Sequence, residues 1–393
     1  MGAAEKVCIF APVHVYTDIR VYQKEAKTIA SAGYSVVLIA RAAKEREAAE
    51  ERGQLRIEGV PRYRSRFQRF LMQPLMLKSI WRTKASIVHL HNPDTLLLGF
   101  LLKLMGKKVI YDTHEDFTKR ILMREWIPAI LRKAVAKAVG RLEAWAGRVF
   151  DASIATQVDV ARRLGAKSVV IENAPISQGE LIENAYSLSE AIQKTEVFRA
   201  VYVGTIGRTR GLLQMVKAME YVNQLFPARL WLIGPVHDQA AMEEVRDRVG
   251  WMYVDYLGVL SQEMAFAYMI QSDVGLITIQ DIGDHAKTSP NKIYEYQRFG
   301  IPFIASDFAV WREKVGHVGS GVFVNQEDPL EIAQAMTFLH DHPEQAKEMG
   351  QRGVEFTVNE YNWEKEAEKL IRLYQSLSSA DQSGQPQAGG ACP

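Results

Sequence analysis

Cysteine is scarce in this sequence, because only Cys8 and Cys392 occur among 393 residues. Two cysteines cannot build a disulfide framework or a four-ligand zinc site. We therefore expect a protein of a reducing compartment. The length predicts about two domains, and the 47% hydrophobic and 24% charged residues are typical of a folded globular chain.

Long hydrophobic runs are absent as well. The most apolar segment, residues 95–105, is interrupted by Lys103, well short of the ~20 apolar residues that a membrane-spanning helix requires. The first six residues lack the apolar centre of a signal peptide. We expect a cytoplasmic protein without a membrane span.

Neither sign of charge is in large excess, since 48 basic and 46 acidic residues give a formal net charge of +2. This balance excludes a chain-wide cationic surface for nucleic acid. One segment is nevertheless one-sided: residues 59–93 contain no acid, and their cations alternate with aromatic and apolar residues. We expect this segment to bind the anionic surface on the inner face of the membrane. A solvated helix face is the alternative. The surrounding residues contain no motif that recognises nucleic acid. Its basic residues are Arg62, Arg64, Arg66, Arg69, Lys78, Arg82 and Lys84.

Short β-branched runs alternate with helical patterns along two series, which predicts two doubly wound, Rossmann-like α/β domains facing across a cleft. The first-series runs are 7–12, 35–40, 55–60, 87–91, 108–111, 152–156 and 169–172. The second-series runs are 200–203, 230–234, 253–257, 274–279, 303–306 and 321–324. We expect an N-terminal domain over 1–175, a linker over 176–197, a C-terminal domain over 198–355, a helix over 356–378 with the first domain as a candidate packing partner, and a disordered tail over 379–393.

Ligands of open parallel sheets bind beyond the carboxyl ends of the strands, where a polar loop precedes a helix that begins at Asn291. Asn291 is a good N-cap, and the first helical turn offers free N–H groups and Lys292 to an anion. Glu295 follows one turn later, where a carboxylate can accept hydrogen bonds from both hydroxyls of a ribose. An ordinary capped helix with a surface lysine and glutamate explains the same pattern.

The residues from Asn291, Asn-Lys-x-Tyr-Glu-Tyr, followed by Gly-x-Pro-x-Ile-Ala-Ser from Gly300, resemble the donor-binding segment of retaining GT-B glycosyltransferases of family 4. The resemblance implies that Glu295 binds the ribose of a nucleotide sugar and that Ser289 and Asn291 contact the donor. In that family an earlier glutamate precedes the ribose-binding one by eight positions. Lys287 stands there in this chain.

A second pattern opens the second domain, where a strand runs into Gly204 and then into Arg208, Arg210 and Gly211 before a helix. Backbone N–H groups and guanidinium groups there can hold a diphosphate, although a solvated turn would look similar. The family has a cation immediately before the glycine that opens this helix, as Arg210 is here. The resemblance implies that Arg208, Arg210 and Lys292 hold the leaving group.

The loop Gly258-Val259-Leu260 follows another strand of this domain. It stands where the family has its base-binding loop, so the resemblance implies that the backbone groups of Val259 and Leu260 contact the base. A simple apolar turn is the alternative.

The first domain lacks the glycine-rich loop that usually follows the family's first strand. Residues 18–26 instead read Asp-x-Arg-x-x-x-Lys-Glu-Ala, which resembles a subgroup that we associate with polysaccharide assembly. Asp18 can cap the following helix. We expect the acceptor side of the site to include His14, Tyr16, Asp18 and His91.

Histidines concentrate at the strand ends of this domain. The resemblance places His114 where the family has a histidine that contacts the donor sugar, and we expect it to take part in catalysis. His89 alternates with His91, and we expect it to point to the opposite face of the strand. A histidine metal site is the rival hypothesis, which we discount because the ligands come from separate strands without helical spacing and without cysteine.

The chain contains no Asp-x-Asp, the metal-chelating signature of the other large glycosyltransferase fold. We therefore expect neither a metal nor another cofactor. Protein cations and helix termini would then stabilise the departing nucleoside diphosphate.

The resemblance implies a hexosyltransferase that takes a nucleotide-activated sugar and transfers it with retention, and we expect the donor to be UDP-linked. The acceptor would be a glycan or a lipid-linked molecule of polysaccharide or glycoconjugate biosynthesis. Two alternatives remain. One is a nucleotide-sugar epimerase of the same fold, and the other is a non-catalytic scaffold or activator, which Lys287 in place of the first glutamate suggests.

Overall fold

The computed structural model describes residues 4–41, 50–60, 63, 65–124, 126–193, 196–283, 285–287 and 291–379. The chain forms two compact units: unit 1 comprises Met1–Asn173 and Trp363–Pro393, and unit 2 comprises Ala174–Asn362. Three residues discussed above, Arg62, Arg64 and Ser289, lie outside the described residues, as does the tail from residue 380. Among the described residues, no helix has both the length and the apolar character needed to cross a bilayer.

The centre of unit 1 is an eight-stranded sheet in the order β3-β4-β2-β1-β5-β6-β7-β8, parallel throughout except for β3 against β4. The strands are β1 Lys6–Val15, β2 Ser35–Arg41, β3 Glu50–Arg52, β4 Leu55–Val60, β5 Ile87–His91, β6 Lys108–Thr113, β7 Ala152–Ala155 and β8 Ser168–Val170. β1 is hydrogen-bonded to parallel strands on both sides. Such a strand is covered on both faces, which explains the uninterrupted apolar run from Val7 to Ala11.

Helices cover both faces of this sheet. A π-helical segment, Ile19–Ala26, continues into α1 Lys27–Ser31, and further helices are α2 Arg66–Leu71, α3 Gln73–Arg82, α4 Leu96–Leu104, α5 Phe117–Leu122, α6 Ala129–Val149 and α7 Val158–Leu164. The inner sides of α3, α4, α6 and α7 share one apolar core with β1, β5, β6 and β7. These helices therefore form a layer on one face of the sheet.

A C-terminal helix, Trp363–Ser379, completes unit 1. Tyr374 is fully buried and lies 2.9 Å from His89 Nδ1, and the Trp363 indole donates to Thr28 Oγ1 at 3.0 Å. The helix begins seven residues later than the expected boundary at 356, because residues 356–359 belong to a helix of unit 2.

Unit 2 contains a fully parallel six-stranded sheet in the order β11-β10-β9-β12-β13-β14. Its strands are β9 Phe198–Val203, β10 Ala228–Ile233, β11 Val254–Gly258, β12 Val274–Ile277, β13 Phe303–Ser306 and β14 Gly321–Val324. Its helices are α8 Glu180–Ser189, α9 Leu212–Val222, α10 Gln239–Arg246, α11 Gln262–Ile270, α12 Asn291–Arg298, α13 Ala309–Val315, α14 Pro329–Asp341 and α15 Pro343–Asn359.

The segment 176–197, expected to be a linker, contains α8. Leu181, Ile182 and Ala185 are buried in the core that also holds Phe266 and Met269 of α11. The sequence pattern missed this helix because its apolar side is narrow and the remaining residues are polar or acidic.

Candidate active site

Strand order in unit 2 reverses between β9 and β12, so the carboxyl ends of these two strands form a topological switch point. Two loops meet there. Gly211 has φ +79°, and a Cβ on it would lie 2.1 Å from the Thr278 carbonyl oxygen. The backbone N–H of Gln280 donates to Thr209 O at 3.0 Å. The loop after β9 is thus held against the loop after β12, and only glycine fits at position 211.

The loop after β10 adjoins the same edge. Gly234 has φ +137°, and a Cβ on it would lie 1.9 Å from the carbonyl oxygen of Gly204. Gly204 was predicted as a site residue, whereas Gly234 was not. The sequence feature that could have identified Gly234 is the Gly-Pro pair that directly follows a buried strand.

The two arginines of the β9 loop differ in their surroundings. Arg208 is half-exposed and lies 2.5 Å from Glu244 Oε2, a carboxylate that also pairs with Arg248. Arg210, one residue before Gly211, is partly buried and forms no ion pair with a described residue. Among the described residues, Arg210 is therefore the arginine of this loop that has no ion-pair partner.

The helix α12 follows β12 and begins at the same edge of the sheet. Lys292 Nζ lies 2.5 Å from Glu295 Oε2, and the Glu295 side chain is largely buried. The helix is anchored by Tyr296, which is fully buried and donates its hydroxyl to Val201 O at 3.2 Å. The two residues predicted to bind a phosphate and a ribose are thus paired with each other.

The predicted base-binding loop lies at the end of β11. Gly258 has φ +72°, the Val259 side chain is exposed, and Leu260 packs against the core below. The structure places these residues at the same carboxyl edge of the sheet as Gly204.

Unit 1 holds a buried ring of five polar side chains. Arg20 Nη2 donates to Asp112 Oδ2 at 3.2 Å, and His91 Nδ1 is hydrogen-bonded to His114 Nε2 at 3.1 Å. Three further contacts have less favourable angles: His114 Nδ1 to Asp112 Oδ1 at 3.1 Å, His91 Nε2 to Glu25 Oε2 at 3.3 Å, and Arg20 Nε to Glu25 Oε1 at 2.8 Å. Each member therefore touches two others, and the ring closes.

Proton positions in the ring follow from the member that can only donate. Arg20 has no acceptor atom. Burial opposes ionisation of Asp112, but the Arg20 charge outweighs it and holds the pKa of that carboxyl well below its usual range. The carboxylate accepts from His114 Nδ1, so His114 Nε2 must accept from His91 Nδ1. The remaining nitrogen, His91 Nε2, then requires a donor.

Glu25 is the group that can supply this donor. Burial, and secondarily the Asp112 charge, raise the pKa of Glu25 well above its ordinary value, which favours the protonated carboxyl. Burial also lowers the pKa of His91 and of His114, which favours the neutral form of both rings. In that protonation state the charges of Arg20 and Asp112 balance each other.

The same cluster bears on metal binding. Glu25, His89, His91 and Asp112 offer ligand atoms within 4.8 Å of one another. Two strands and the π-helical segment therefore bring these side chains together, so their separation in the sequence is no argument against a metal. The Arg20 guanidinium contacts the carboxyl groups of Glu25 and Asp112 and would repel a metal cation. The ring accounts for Glu25, His91 and Asp112, and His89 is hydrogen-bonded to Tyr374.

His89 does not point away from His91. The two rings stack with centroids 4.6 Å apart, because residues two apart on a strand share one face. His89 Nε2 lies 3.5 Å from Asp112. The expectation of opposite faces was wrong.

The predicted acceptor-side residues lie beside the ring. Asp18 Oδ1 accepts from the backbone N–H groups of Arg20 and Val21 at 2.9 and 3.0 Å, so Asp18 caps the π-helical segment. Its Oδ2 lies 3.1 Å from His14 Nδ1, and the His14 ring stands edge-on to His114 with centroids 5.2 Å apart. Tyr16 follows β1, where its N–H donates to Arg41 O.

His114 is only 15% exposed, and both of its ring nitrogens face protein groups. A hydrogen bond from His114 to a sugar would require one of these contacts to open. His14 Nε2, by contrast, has no hydrogen-bond partner among the described residues.

Sequence reasoning did not select Arg20, Glu25 or Asp112 as site residues. Arg20 and Glu25 are five residues apart, a spacing that places them roughly 140° apart on an α-helix but on the same side of a π-helix. Asp112 was detectable, since it is a carboxylate within a buried strand.

Two family models match the chain: "Glycosyltransferase Family 4" matches residues 20–174 and "Glycosyl transferases group 1" matches residues 198–342. This chain is a family-4-like glycosyltransferase. The glycosyltransferase is 24% identical over 270 residues to D-rhamnosyltransferase WbpZ of Pseudomonas aeruginosa, covering 68% of this chain and 67% of that one. It is 23% identical over 316 residues to an uncharacterized 41.2 kDa protein in the cps region of Klebsiella pneumoniae, covering 77% of this chain and 82% of that protein.

Solved structures share the fold of the glycosyltransferase. Sucrose-phosphate synthase from Thermosynechococcus elongatus gives a TM-score of 0.72 at 18% identity, covering 96% of this chain and all of that one. Anabaena HepE in complex with UDP-glucose gives a TM-score of 0.67 at 13% identity, covering 95% of this chain and 99% of that one. The predicted GT-B fold and the family resemblance are confirmed.

Proposed function

We propose that the glycosyltransferase transfers a sugar from a UDP-linked donor, with retention of configuration, to a glycan or lipid-linked acceptor of polysaccharide or glycoconjugate biosynthesis. One observation carries the proposed donor site. Arg210, which has no acidic partner among the described residues, stands at the start of α9 beside the switch point of unit 2. A structural neighbour, Anabaena HepE, was solved in complex with UDP-glucose, which supports a UDP donor.

The proposed chemistry is a front-face displacement. The acceptor oxygen forms a bond to the anomeric carbon on the face from which UDP departs, while the bond from that carbon to the β-phosphate oxygen breaks. The acceptor proton passes to the departing phosphate. Arg210 and the N-termini of α9 and α12 act on the growing negative charge.

Ligand-dependent thermal stability tests the donor class directly. A ligand that binds the native state raises the midpoint of thermal unfolding by mass action. UDP and UDP-sugars are expected to raise it more than GDP, dTDP or ADP and their sugars. Stabilisation by another nucleotide alone would replace the UDP assignment, and no stabilisation by any nucleotide would remove the donor site.

The two alternative functions predict different products. An epimerase would convert a UDP-sugar to another UDP-sugar without any acceptor, and a scaffold would turn over no donor. Lys287, which stands in place of the family's first glutamate, is exposed in a short helical turn before α12. Chromatography of a donor incubated with and without acceptor separates the three functions.

Glu295→Ala is expected to weaken nucleotide binding about 10–100-fold, the range for loss of a hydrogen bond to a charged group. In the free protein the carboxylate pairs with Lys292, and we propose that the ribose hydroxyls replace this partner. Calorimetric titration with UDP measures the effect. Glu344→Ala, which removes an exposed carboxylate from α15 of the same unit, should leave the affinity unchanged. Equal affinity in Glu295→Ala and the native protein would end the ribose assignment.

Turnover is expected to be independent of divalent metal, since we propose that protein cations stabilise the leaving diphosphate. Initial rates measured in EDTA and in excess Mg²⁺ should therefore agree. Activity lost in EDTA and restored by Mg²⁺ or Mn²⁺ would contradict this proposal.

A further inference from the structure

Three consecutive crossover helices of unit 1 share an outer surface. Helix α3 connects β4 to β5, α4 connects β5 to β6, and α6 lies between β6 and β7. Their inner sides contribute Met76, Ile80, Leu98, Leu102 and Ala146 to one core. Their opposite sides, which we call the outer helix face, point away from the sheet.

Large apolar side chains on the outer helix face are exposed among the residues that the structure describes. Ile130 on α6 is 88% exposed and Leu104 on α4 is 85% exposed, values at which a large aliphatic side chain gains almost nothing from the core. Other exposed apolar residues of these helices, of the end of α5 and of the α5–α6 connection are Leu75, Trp81, Leu97, Leu101, Leu122, Met123, Trp126, Leu131 and Trp145. A concentration of exposed apolar side chains on one helix layer indicates a binding surface.

The charges of the same helices have one sign. Helices α3, α4 and α6 contain a single acidic residue, Glu143, which is fully buried, where it accepts from Tyr111 at 2.8 Å and pairs with Arg163 at 3.1 Å. The basic residues of the three helices are Lys78, Arg82, Lys103, Arg132, Lys133, Lys137, Arg141 and Arg148. Lys103 is paired with Asp151 at 2.6 Å, and the remaining cations make the outer helix face cationic as well as apolar.

Apolar and basic residues are interleaved on α6 rather than segregated. Exposed positions recur every three or four residues along one side of the helix, in the order Ile130, Ala134, Lys137, Arg141, Trp145, Arg148. The Trp145 ring is held in place by stacking on Phe100, with centroids 4.0 Å apart. Lys133, Lys137 and Arg141 form no salt bridge with a described residue.

This pattern discriminates between classes of partner. The centres of protein–protein interfaces are depleted of charged residues, lysine among them. Helices that lie in a membrane interface instead combine exposed aliphatic and tryptophan side chains with lysine and arginine. Long basic side chains can place their charge at the headgroups while their methylene groups stay near the apolar layer.

We propose that the outer helix face of α3, α4 and α6 binds an anionic lipid bilayer. The proposal rests on the surface of unit 1 and not on the donor site of unit 2. The sequence predicted a membrane surface over residues 62–84, and within this segment α3 carries both exposed cations and exposed apolar side chains. The proposal extends this surface to α4 and α6. Arg69, also in that segment, is instead paired with Asp94 at 2.9 Å.

Vesicle flotation of the full chain tests the proposal, with phosphatidylcholine alone and phosphatidylcholine mixed with phosphatidylglycerol as probes. Binding is expected only to the anionic vesicles and should weaken as salt is raised, because surface charges are screened. The triple variant Lys133→Gln, Lys137→Gln, Arg141→Gln should bind on the order of 100-fold more weakly, since each cation near an anionic surface contributes about a fivefold effect.

A matched control removes the same charge from exposed positions of unit 2: Arg246→Gln, Lys314→Gln and Lys347→Gln. This control should bind anionic vesicles like the native chain. A second variant, Leu104→Ser with Ile130→Ser, removes two exposed apolar side chains. It should lose the part of vesicle binding that the native chain keeps at high salt. Circular dichroism and the nucleotide-induced thermal shift verify that each variant is folded and that unit 2 is intact.

Several results would overturn the proposal. Equal binding to neutral and anionic vesicles would show that charge does not drive binding. Equal losses of vesicle binding in the α6 variant and the unit 2 variant would show that the outer helix face is not the binding surface. Absence of vesicle binding together with self-association that Ile130→Ser abolishes would assign the outer helix face to a second copy of the chain. Absence of both vesicle binding and self-association would refute the proposal.

Discussion

Arg210→Ala is expected to lower turnover about 100–1,000-fold while changing donor affinity much less, the loss typical of one preorganised donor to a developing oxyanion. Cleavage of the bond to the sugar places additional negative charge on the β-phosphate. A fixed cation therefore acts more strongly in the transition state than in the ground state. Arg210 suits this role because no described carboxylate competes for it, whereas Arg208 is paired with Glu244 and Lys292 with Glu295.

Arg208→Ala provides the matched comparison for Arg210. Both residues occupy the turn before α9, but the ion pair of Arg208 predicts the smaller loss of turnover. Arg210→Lys should recover only part of the activity if a guanidinium group bridges two phosphate oxygens. Rates and donor dissociation constants of the three variants decide the matter, and native kinetics in Arg210→Ala would refute the assignment.

Asp112→Asn is expected to destabilise unit 1 by about 3–5 kcal/mol, the cost of leaving a buried charge without its partner. The substitution removes the negative charge that faces Arg20 at 3.2 Å and that keeps His114 oriented. Glu25→Gln should cost far less, because a glutamine amide can donate to His91 Nε2 and accept from Arg20, as a protonated carboxyl can. Calorimetry that resolves the unfolding of unit 1 from that of unit 2 measures both effects.

The pH dependence of stability checks the proton on Glu25. Its pKa is raised in the folded state, so its contribution is fully present below the unfolded pKa of about 4.3 and is lost as pH rises through the folded value. Glu25→Gln should remove this component of the pH profile. If Glu25→Gln and Asp112→Asn destabilise unit 1 equally, the carboxyl of Glu25 is ionised and the proposed proton order is incorrect.

The alternation of β-branched runs with helical patterns was sufficient to predict both sheets. Strand β3 was missed because its residues, Glu50-Glu51-Arg52, are all charged. It pairs antiparallel at the edge of the sheet, where charged residues are common and little apolar surface is buried. A short edge strand leaves no apolar pattern to detect.

The motifs predicted which loops carry the site but not which side chains pair within them. Arg208 meets a glutamate 36 residues later in the chain, a contact set by the packing of α10 beside the β9 loop. The ring in unit 1 joins residues from a π-helical segment and two strands, and no local pattern encodes that meeting. Tertiary contacts thus decide which predicted cations are available to a ligand.

The return of the C-terminal helix to unit 1 also sets an order of folding during synthesis. Tyr374 can reach His89 only after all of residues 174–362 have been made, a delay of roughly 10–40 s at ~5–20 residues per second. Unit 2 is continuous in sequence and has its whole chain available first. A ribosome that stalls before residue 363 therefore carries all of the later unit and an earlier unit that still lacks its last helix.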